Sequence, residues 1–340
     1  MTIKAFVATC IAGLIGLSAS EACAQSTLER VRSRGQLICA TSQGVPGFSL
    51  PNTAGEWEGF DIDICRAVAA AIFNDPKQVK FVPVATKDRF TVLQTGEVDL
   101  VSRQATWTLG RDAGLGLNFT AVNYYDGQGF MVNKKLNISG VKELEGASIC
   151  VSQGTTSELN LADYFRTRNM KYEVVAFVGS EEAFNAYTSG RCDAVTNDTS
   201  VLASYRSKLK EPDQHVILGE IISKEPVGPW VRNIDDQWLD LVRWTVFALL
   251  NAEELGVTRA NVQDMKKSDN PEIRRLLGVE GKFGELLGVT NDWVVRMVSA
   301  VGNYGESFDR NLGEGSSLKL ARGPNRLWTQ GGYQFAPPVR

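Results

Sequence analysis

Ser102-Arg103-Gln104-Ala105-Thr106-Trp107-Thr108-Leu109-Gly110-Arg111-Asp112 gathers small hydroxyls, an amide, a tryptophan and two arginines directly after the apolar run Val98-Asp99-Leu100-Val101. That run has the length and make-up of a buried strand, and in parallel α/β sheets ligands sit just past a strand's carboxyl end. The chemistry on offer is capture of a small anion. Arg111 suits bidentate pairing to a carboxylate, and Thr106 and Thr108 are short hydroxyl donors. A surface loop with a solvated arginine is the alternative. A second half of the chain tips the balance by supplying the complementary charge. After a strand at residues 193–196 come Asn197 and Asp198, an aspartate placed either to cap a turn or to receive a ligand ammonium. After a strand at 148–151 comes Ser152-Gln153-Gly154-Thr155-Thr156-Ser157-Glu158, a Gly/Thr loop entering a helix. Free N–H groups and the helix dipole make such a start an anion site, which is compatible with an N-cap by Thr156 or Ser157. Anion donors in both halves plus one carboxylate suit a zwitterion.

Two copies of one unit hold these loops in place. Phe90, Gly96, Asp99 and Val101 answer to Phe184, Gly190, Asp193 and Val195 at one constant spacing. The neighbouring elements match in kind: a strand at 81–84 with Thr86 against a strand at 174–178 with Ser180. Further back, Gly59 before a helix to about Phe73 corresponds to Gly154 before a helix at 158–168. Ile64, Val68 and Ile72 recur every four positions, so one face of the earlier helix packs on a sheet, and Asp61 or Asp63 is expected at its N-cap. Leu37-Ile38-Cys39-Ala40 is the first strand. In the turn-rich segment after it, Phe48 packs under the loop or stacks on a ligand side chain, and stacking is the expectation. Each unit wants a parallel sheet with helices on its faces, which makes the chain α/β with two similar lobes across a cleft. Residues 119–132 read as an extended strand crossing between lobes. Residues 221–231, with two Pro and one Gly, return as a defined bend.

The chain has 340 residues, 43% hydrophobic and 22% charged, enough for two domains. A net charge of −3 gives no support for nucleic acid as a partner. One histidine, His215, expected solvated in a polar loop, argues against a His-based metal site or a Ser-His hydrolase. Residues 1–24 read as a secretory signal: Lys4, an apolar core at 5–17, and Ala22-Cys23-Ala24 as a small-x-small cleavage site. The mature start is placed at Gln25. A lipoprotein cut before Cys23 is the alternative, disfavoured by Glu21. No later stretch approaches the about 18–20 apolar residues of a spanning helix, so the chain is expected to be exported and soluble. Cys39, Cys65, Cys150 and Cys192 remain after cleavage and allow three pairings. Cys39–Cys65 and Cys150–Cys192 keep each pair within one half of the repeat and are expected in an oxidising compartment; four buried thiols are the alternative. Without CxxC spacing, metal binding is not expected. From Asp235 an amphipathic helix runs to Gly256, its apolar stripe core. The rest is helical to about Tyr304 and then Gly-rich, with no catalytic constellation.

Gly59-Phe60-Asp61-Ile62-Asp63, Leu93-Gln94-x-Gly96-x-Val98-Asp99, Thr106-x-Thr108-x-x-Arg111, Gly154-Thr155-Thr156-x-Glu158 and Gly190-Arg191-x-Asp193-Ala194-x-x-x-Asp198 resemble, in consistent order, the periplasmic polar amino-acid-binding proteins of ABC transporters, family 3 of the bacterial solute-binding proteins. Tyr124-Tyr125-Asp126-Gly127-Gln128-Gly129-Phe130, Asn160-Leu161-Ala162-Asp163, Asn291-Asp292-Trp293 and Ala300-Val301-Gly302-Asn303-Tyr304-Gly305-Glu306 are more narrowly similar to the general L-amino-acid-binding subfamily. The resemblance implies a two-lobe periplasmic-binding-protein fold (type II) with a ligand cleft between lobes and a two-strand hinge. Lobe 1 would take residues 25–125, lobe 2 residues 126–226, and residues 227–340 would return to lobe 1 and add a helical extension. It implies a periplasmic monomer, without cofactor or catalytic residue, that captures a broad range of L-amino acids for a permease in the inner membrane.

Carried over position by position, Arg111 would bind the α-carboxylate, opposed from the second lobe by N–H groups or the hydroxyl of Thr156. Thr106 would add hydroxyl and backbone contacts, Gln104 a backbone carbonyl, and Asp198 would receive the α-ammonium. Arg89 aligns with an arginine that meets acidic side chains in relatives specific for glutamate and aspartate; an arginine solvated at the start of its helix is the alternative. Specificity is expected near Phe48, Trp107 and Arg89. Gly110 and Gln104 depart from the usual pattern, and the side-chain pocket is where that matters. The competing class is an enzyme of the same fold, a cyclohexadienyl-type dehydratase or a peptidoglycan-cleaving lyase. Either needs a positioned acid or base, and no carboxylate of the expected cleft is left free once Asp198 takes an ammonium. A sensor ectodomain would need a membrane span.

Overall fold

The computed structural model describes residues 25–340, so the secretory signal read at 1–24 lies outside the described residues. The capping box of Ser26 and Glu29 starts helix α1 (Thr27–Arg34), and Gly35 ends it in the left-handed conformation. Then come β1 (Leu37–Thr41), a small hairpin of β2 (Leu50–Pro51) and β3 (Trp57–Glu58), α2 (Phe60–Phe73), β4 (Val79–Pro83), α3 (Arg89–Gln94), β5 (Leu100–Val101), α4 (Leu109–Gly114) and β6 (Leu117–Phe119). The chain continues through β7 (Tyr124–Asp126), β8 (Gln128–Asn133), β9 (Ser148–Ser152), α5 (Thr156–Thr167), β10 (Glu173–Phe177), α6 (Ser180–Thr188), β11 (Ala194–Asp198), α7 (Thr199–Arg206) and β12 (His215–Ile217). It returns through β13 (Glu225–Val227) and β14 (Trp230–Arg232) to α8 (Asp236–Glu254) and a helical C-terminal region.

These strands build two five-stranded sheets of one topology, β4-β1-β5-β14-β6 and β10-β9-β11-β8-β12. In the first, β1 runs parallel to β4 and β5; in the second, β9 runs parallel to β10 and β11. The fourth strand of each, β14 or β8, is antiparallel and arrives directly from the hinge. The hinge is the antiparallel pair β7 and β13, with Tyr125 opposite Pro226 and Asp126 opposite Glu225. The extended crossing expected at 119–132 is therefore three strands, because the chain leaves one sheet, pairs in the hinge and turns at Gly127 into the other.

The repeat is visible in its aspartates. Asp99 accepts from the N–H of Ile38 at 2.9 Å, and Asp193 from the N–H and hydroxyl of Ser148 at 2.8 and 2.6 Å. Each pins its own strand turn to the matching strand of its sheet, β1 or β9. Cys39 is bonded to Cys65, tying β1 to α2, and Cys150 to Cys192, tying β9 to the turn before β11.

Neither Asp61 nor Asp63 caps α2, which starts at Gly59 without a side-chain cap. Asp63 instead accepts from Ser307 Oγ at 2.6 Å, Arg310 Nη2 at 2.5 Å and Asn311 Nδ2 at 2.7 Å. These donors lie on a helix at Tyr304–Asn311, so helical structure continues past Tyr304 rather than ending there. The tail beyond it crosses the hinge, where Asn325 bonds to the backbone of Tyr125. His215 is not a solvated loop residue. It opens β12, and its Nδ1 lies 2.6 Å from the Tyr187 hydroxyl. Among the described residues no helix is long and apolar enough to cross a membrane.

Candidate functional site

The strand ends of both sheets meet in a cavity between the lobes. Lobe 1 contributes Thr86, Arg89, Arg103, Gln104 and Thr106; lobe 2 contributes Thr155, Thr156, Ser157, Asn197, Asp198 and Tyr205. The lobes stand closed on each other. Lys208 Nζ donates to the Gly44 carbonyl across them at 2.9 Å, and the hydroxyls of Thr106 and Thr156 lie 3.4 Å apart. The walls leave the centre of a water-sized sphere about 40 Å³.

Lobe 1 is lined by arginine. Arg89 is 3% exposed, which excludes the solvated alternative. One of its Nη atoms donates to the Thr86 carbonyl, its guanidinium lies over the Phe90 ring at 4.8 Å, and its buried Nε has no partner among the described residues. Burial and the neighbouring charges of Arg111 and Arg103 hold its pKa well below the usual arginine value. Arg103, for which the sequence suggested no role, is fixed by donation to the Val84 carbonyl at 3.2 Å and the Thr86 hydroxyl at 2.9 Å. Burial lowers its pKa to about 10. Arg111 is not part of the cavity wall: it donates to the Thr106 carbonyl at 2.9 Å, and its guanidinium lies over the Phe90 ring at 5.1 Å.

Lobe 2 supplies the opposite charge. Asp198 ends β11 and is 6% exposed, and among the described residues its carboxylate accepts no hydrogen bond. Burial, then the neighbouring Asp126 and Glu225, raise its pKa well above the usual carboxylate range. Its oxygens open onto the cavity, where an incoming cation can pair with them. Gly154, at φ 68°, turns the chain into α5, whose first residues Thr156 and Ser157 line the cavity and so put a helix start at its wall. The cap is Thr155, accepting from Glu158 N–H at 3.0 Å, rather than Thr156 or Ser157. Thr156 is thereby freed to face lobe 1.

Three expectations need correction. Phe48 is 1% exposed and packs edge-on to Phe60 and Tyr124 in the core, so it does not stack on a ligand. Trp107 is 48% exposed, stacks on Phe119 at 4.8 Å and takes no part in the cavity wall. Thr108 is the N-cap of α4, accepting from Arg111 N–H, and lies outside the cavity wall. Gln104 does line the cavity, but with its backbone at φ 27° and its amide Nε2 donating to Asp61. Burial raises the Asp61 carboxyl to about 7.

Glu225, on the hinge, was not singled out from the sequence. It is 1% exposed and accepts four bonds: from Thr106 at 2.6 Å and Thr156 at 2.9 Å on Oε2, and from Asn160 at 2.8 Å and Ser223 at 2.6 Å on Oε1. Opposite it, Asp126 accepts from Gly127 N–H at 2.8 Å, Thr199 Oγ1 at 2.7 Å and the Ser200 hydroxyl. The carboxylates nearest Asp198 are thus already engaged by hydroxyl and amide donors.

The family model for bacterial extracellular solute-binding proteins, family 3, matches residues 37–256. The general L-amino acid-binding periplasmic protein AapJ of Rhizobium johnstonii is 55% identical over 97% of either chain. The glutamate/glutamine/aspartate/asparagine-binding protein BztA of Rhodobacter capsulatus is 51% identical over 98% of either chain. Among solved structures, an ABC transporter periplasmic binding protein from Brucella ovis with glutathione bound superposes with a TM-score of 0.91 at 57% identity, over 93% of this chain and 100% of that one.

Proposed function

The chain belongs to the bacterial extracellular solute-binding proteins of family 3, and from that membership we propose that it captures a broad range of L-amino acids between its lobes and delivers them to an ABC-transporter permease in the inner membrane. The observation that carries this reading is the pairing, in one buried cavity, of arginines from lobe 1 with the unpartnered carboxylate of Asp198 from lobe 2. In this reading the α-carboxylate is held by Arg111 and the N–H groups at the start of α5, and the α-ammonium by Asp198. Thr106, Thr156 and Gln104 line the head-group end, while Arg89 faces the side chain. Charge-assisted bonds of about 1.5–3 kcal/mol each suffice together for sub-micromolar affinity after ordering costs. Lobe 1 would comprise residues 25–125 with the return from 227, and lobe 2 residues 126–226, turning about the hinge. The site would be periplasmic, reached after removal of residues 1–24, and the protein a monomer without cofactor. The names of AapJ and of the Brucella protein place those two in the periplasm.

A second reading comes from the glutathione of the Brucella structure. The γ-glutamyl end of that tripeptide carries a free α-ammonium and α-carboxylate, so the same clamp would accept a γ-glutamyl peptide. Catalysis of the dehydratase kind draws no support from the carboxylates around Asp198, which are bonded. The test is calorimetric titration of the protein, refolded to strip bound solute, with the twenty L-amino acids, with glutathione, and with prephenate and arogenate. Tight binding of many amino acids is expected. Binding of glutathione alone would favour the second reading, and turnover of prephenate or arogenate would replace both.

A further inference from the structure

Glu225 is bonded in a way that solute capture as set out above does not use. Its Oε2 accepts the hydroxyl proton of Thr106, which follows β5 in lobe 1, and that of Thr156, which opens α5 in lobe 2. Its Oε1 accepts from Asn160, one turn along α5, and from Ser223. Asn160 lies outside the cavity wall, so it would not touch a ligand there.

A hydroxyl has one proton to donate and two lone pairs. With both protons spent on one carboxylate oxygen, the two threonine oxygens can turn only lone pairs toward the cavity. That polarity suits a ligand's ammonium and not its carboxylate, the reverse of the donor role that their residue types suggest. One oxygen can also keep both hydroxyls only while the lobes are closed, because parting them must break one of the two bonds. The carboxylate rides on the hinge itself, directly opposite Asp126, and its four bonds reach the loop of one lobe and the first helix of the other.

We infer that Glu225 is a positioning residue for capture: it sets the hydroxyls of Thr106 and Thr156 as acceptors for the ligand's ammonium and latches the closed arrangement of the lobes. The inference rests on the amino-acid reading for the ammonium, but not for the latch. It assigns Asn160 a purpose as well, as the latch's purchase on α5.

The test compares wild type, Glu225→Gln and Asn160→Ala. Small-angle scattering without solute reads the lobes, and titration with L-glutamate against glutarate, the same dicarboxylate lacking the ammonium, reads the polarity. Both variants are expected to scatter as wider particles than wild type. Glu225→Gln is expected to shrink the preference for L-glutamate over glutarate at least tenfold, because an amide returns donor capacity to the threonines. Scattering curves identical to wild type, or an unchanged preference in Glu225→Gln, would overturn the inference. Should Glu225→Gln not fold, Asn160→Ala still decides the latch by scattering, and Thr156→Val, which removes one of the two hydroxyls, decides the polarity. Failure of wild type to bind L-glutamate or any other amino acid would strike the amino-acid reading instead, with scattering still deciding the latch.

Discussion

Asn325 holds both backbone polar groups of Tyr125. The Tyr125 N–H donates to Asn325 Oδ1 at 2.7 Å, and Asn325 Nδ2 donates back to the Tyr125 carbonyl at 3.0 Å. Tyr125 lies in hinge strand β7, whose other edge pairs with β13, so a single side chain from the C-terminal tail serves as a third strand of the hinge. The tail lies beyond the residues matched by the family model. Arg322 anchors it, donating to Glu253 at 2.5 and 3.1 Å.

Asn325→Ala should therefore destabilise the fold. Asn325 is 2% exposed, and its loss strands a backbone donor and acceptor, at about 1–3 kcal/mol for each group left buried without a partner. Chemical denaturation should show the loss, with Asn325→Asp, which keeps the acceptor, falling between. An alanine variant that unfolds with wild type would mean that water replaces the clip.

Arg111→Ala should lower amino-acid affinity at least a hundredfold without unfolding the protein, and affinity within threefold of wild type would remove Arg111 from the clamp. Asp198→Asn should weaken binding more than Asp193→Asn. Asp193 spends its Oδ2 on both the N–H and the hydroxyl of Ser148, so its variant should lose stability instead. The opposite ranking in titrations would exchange the two assignments.

Arg89→Ala should selectively weaken glutamate and aspartate. Its buried Nε lacks a partner among the described residues, and two further arginines repel it, so an acidic side chain is the group it best receives. Equal losses for leucine and glutamate would assign it to packing on Phe90.

Proton release should accompany capture. Burial and the charges of Asp126 and Glu225 raise the Asp198 pKa, so below that raised value the carboxyl must shed a proton before it can pair with an ammonium. Affinity should then climb as pH rises toward that raised value. Titrations in buffers of different ionisation heat would count the proton, and a buffer-independent heat would contradict the assignment.

Asp61 gives a stability slope of the same origin. Its carboxyl is raised to about 7 from 3.8, so the folded state binds this proton more tightly than the unfolded one. Stability is then fullest below the unfolded value and declines as pH rises to about 7, by about 1.4 kcal/mol for each pH unit between. Asp61→Asn should flatten the decline between pH 5 and pH 8 in denaturant melts. A variant with the wild-type slope would place its origin elsewhere.

What could be read from the chain beforehand was what repeats or is local. The Gly-x-x-Asp pairs at 96–99 and 190–193, the apolar period of α2 and the strand triplets are short-range patterns, and the two parallel cores follow from them. Asp198 and Arg89 stood out because each follows a recognisable strand or opens a helix. Glu225 did not, since its partners at 106, 156, 160 and 223 are scattered and no spacing announces them. Phe48 misled for the same reason: the rings that bury it, Phe60 and Tyr124, come from a helix and from the hinge. The α5 cap falls on Thr155 rather than on Thr156 or Ser157, a choice that neighbouring hydroxyl residues cannot settle by type.

The placement of β14 inside the first sheet, between β5 and β6, has a bearing on how the chain is made. The second sheet is drawn wholly from residues 128–217 and has all its strands once that stretch leaves the ribosome. The first sheet lacks an interior strand until residue 232 has emerged, although its other four strands are complete by residue 119. The domain that begins first must finish last, with an open slot that offers strand pairing to any passing chain. A nascent chain stalled before residue 230 would be expected to carry one finished half and one sticky half, which is the form a holding chaperone would recognise.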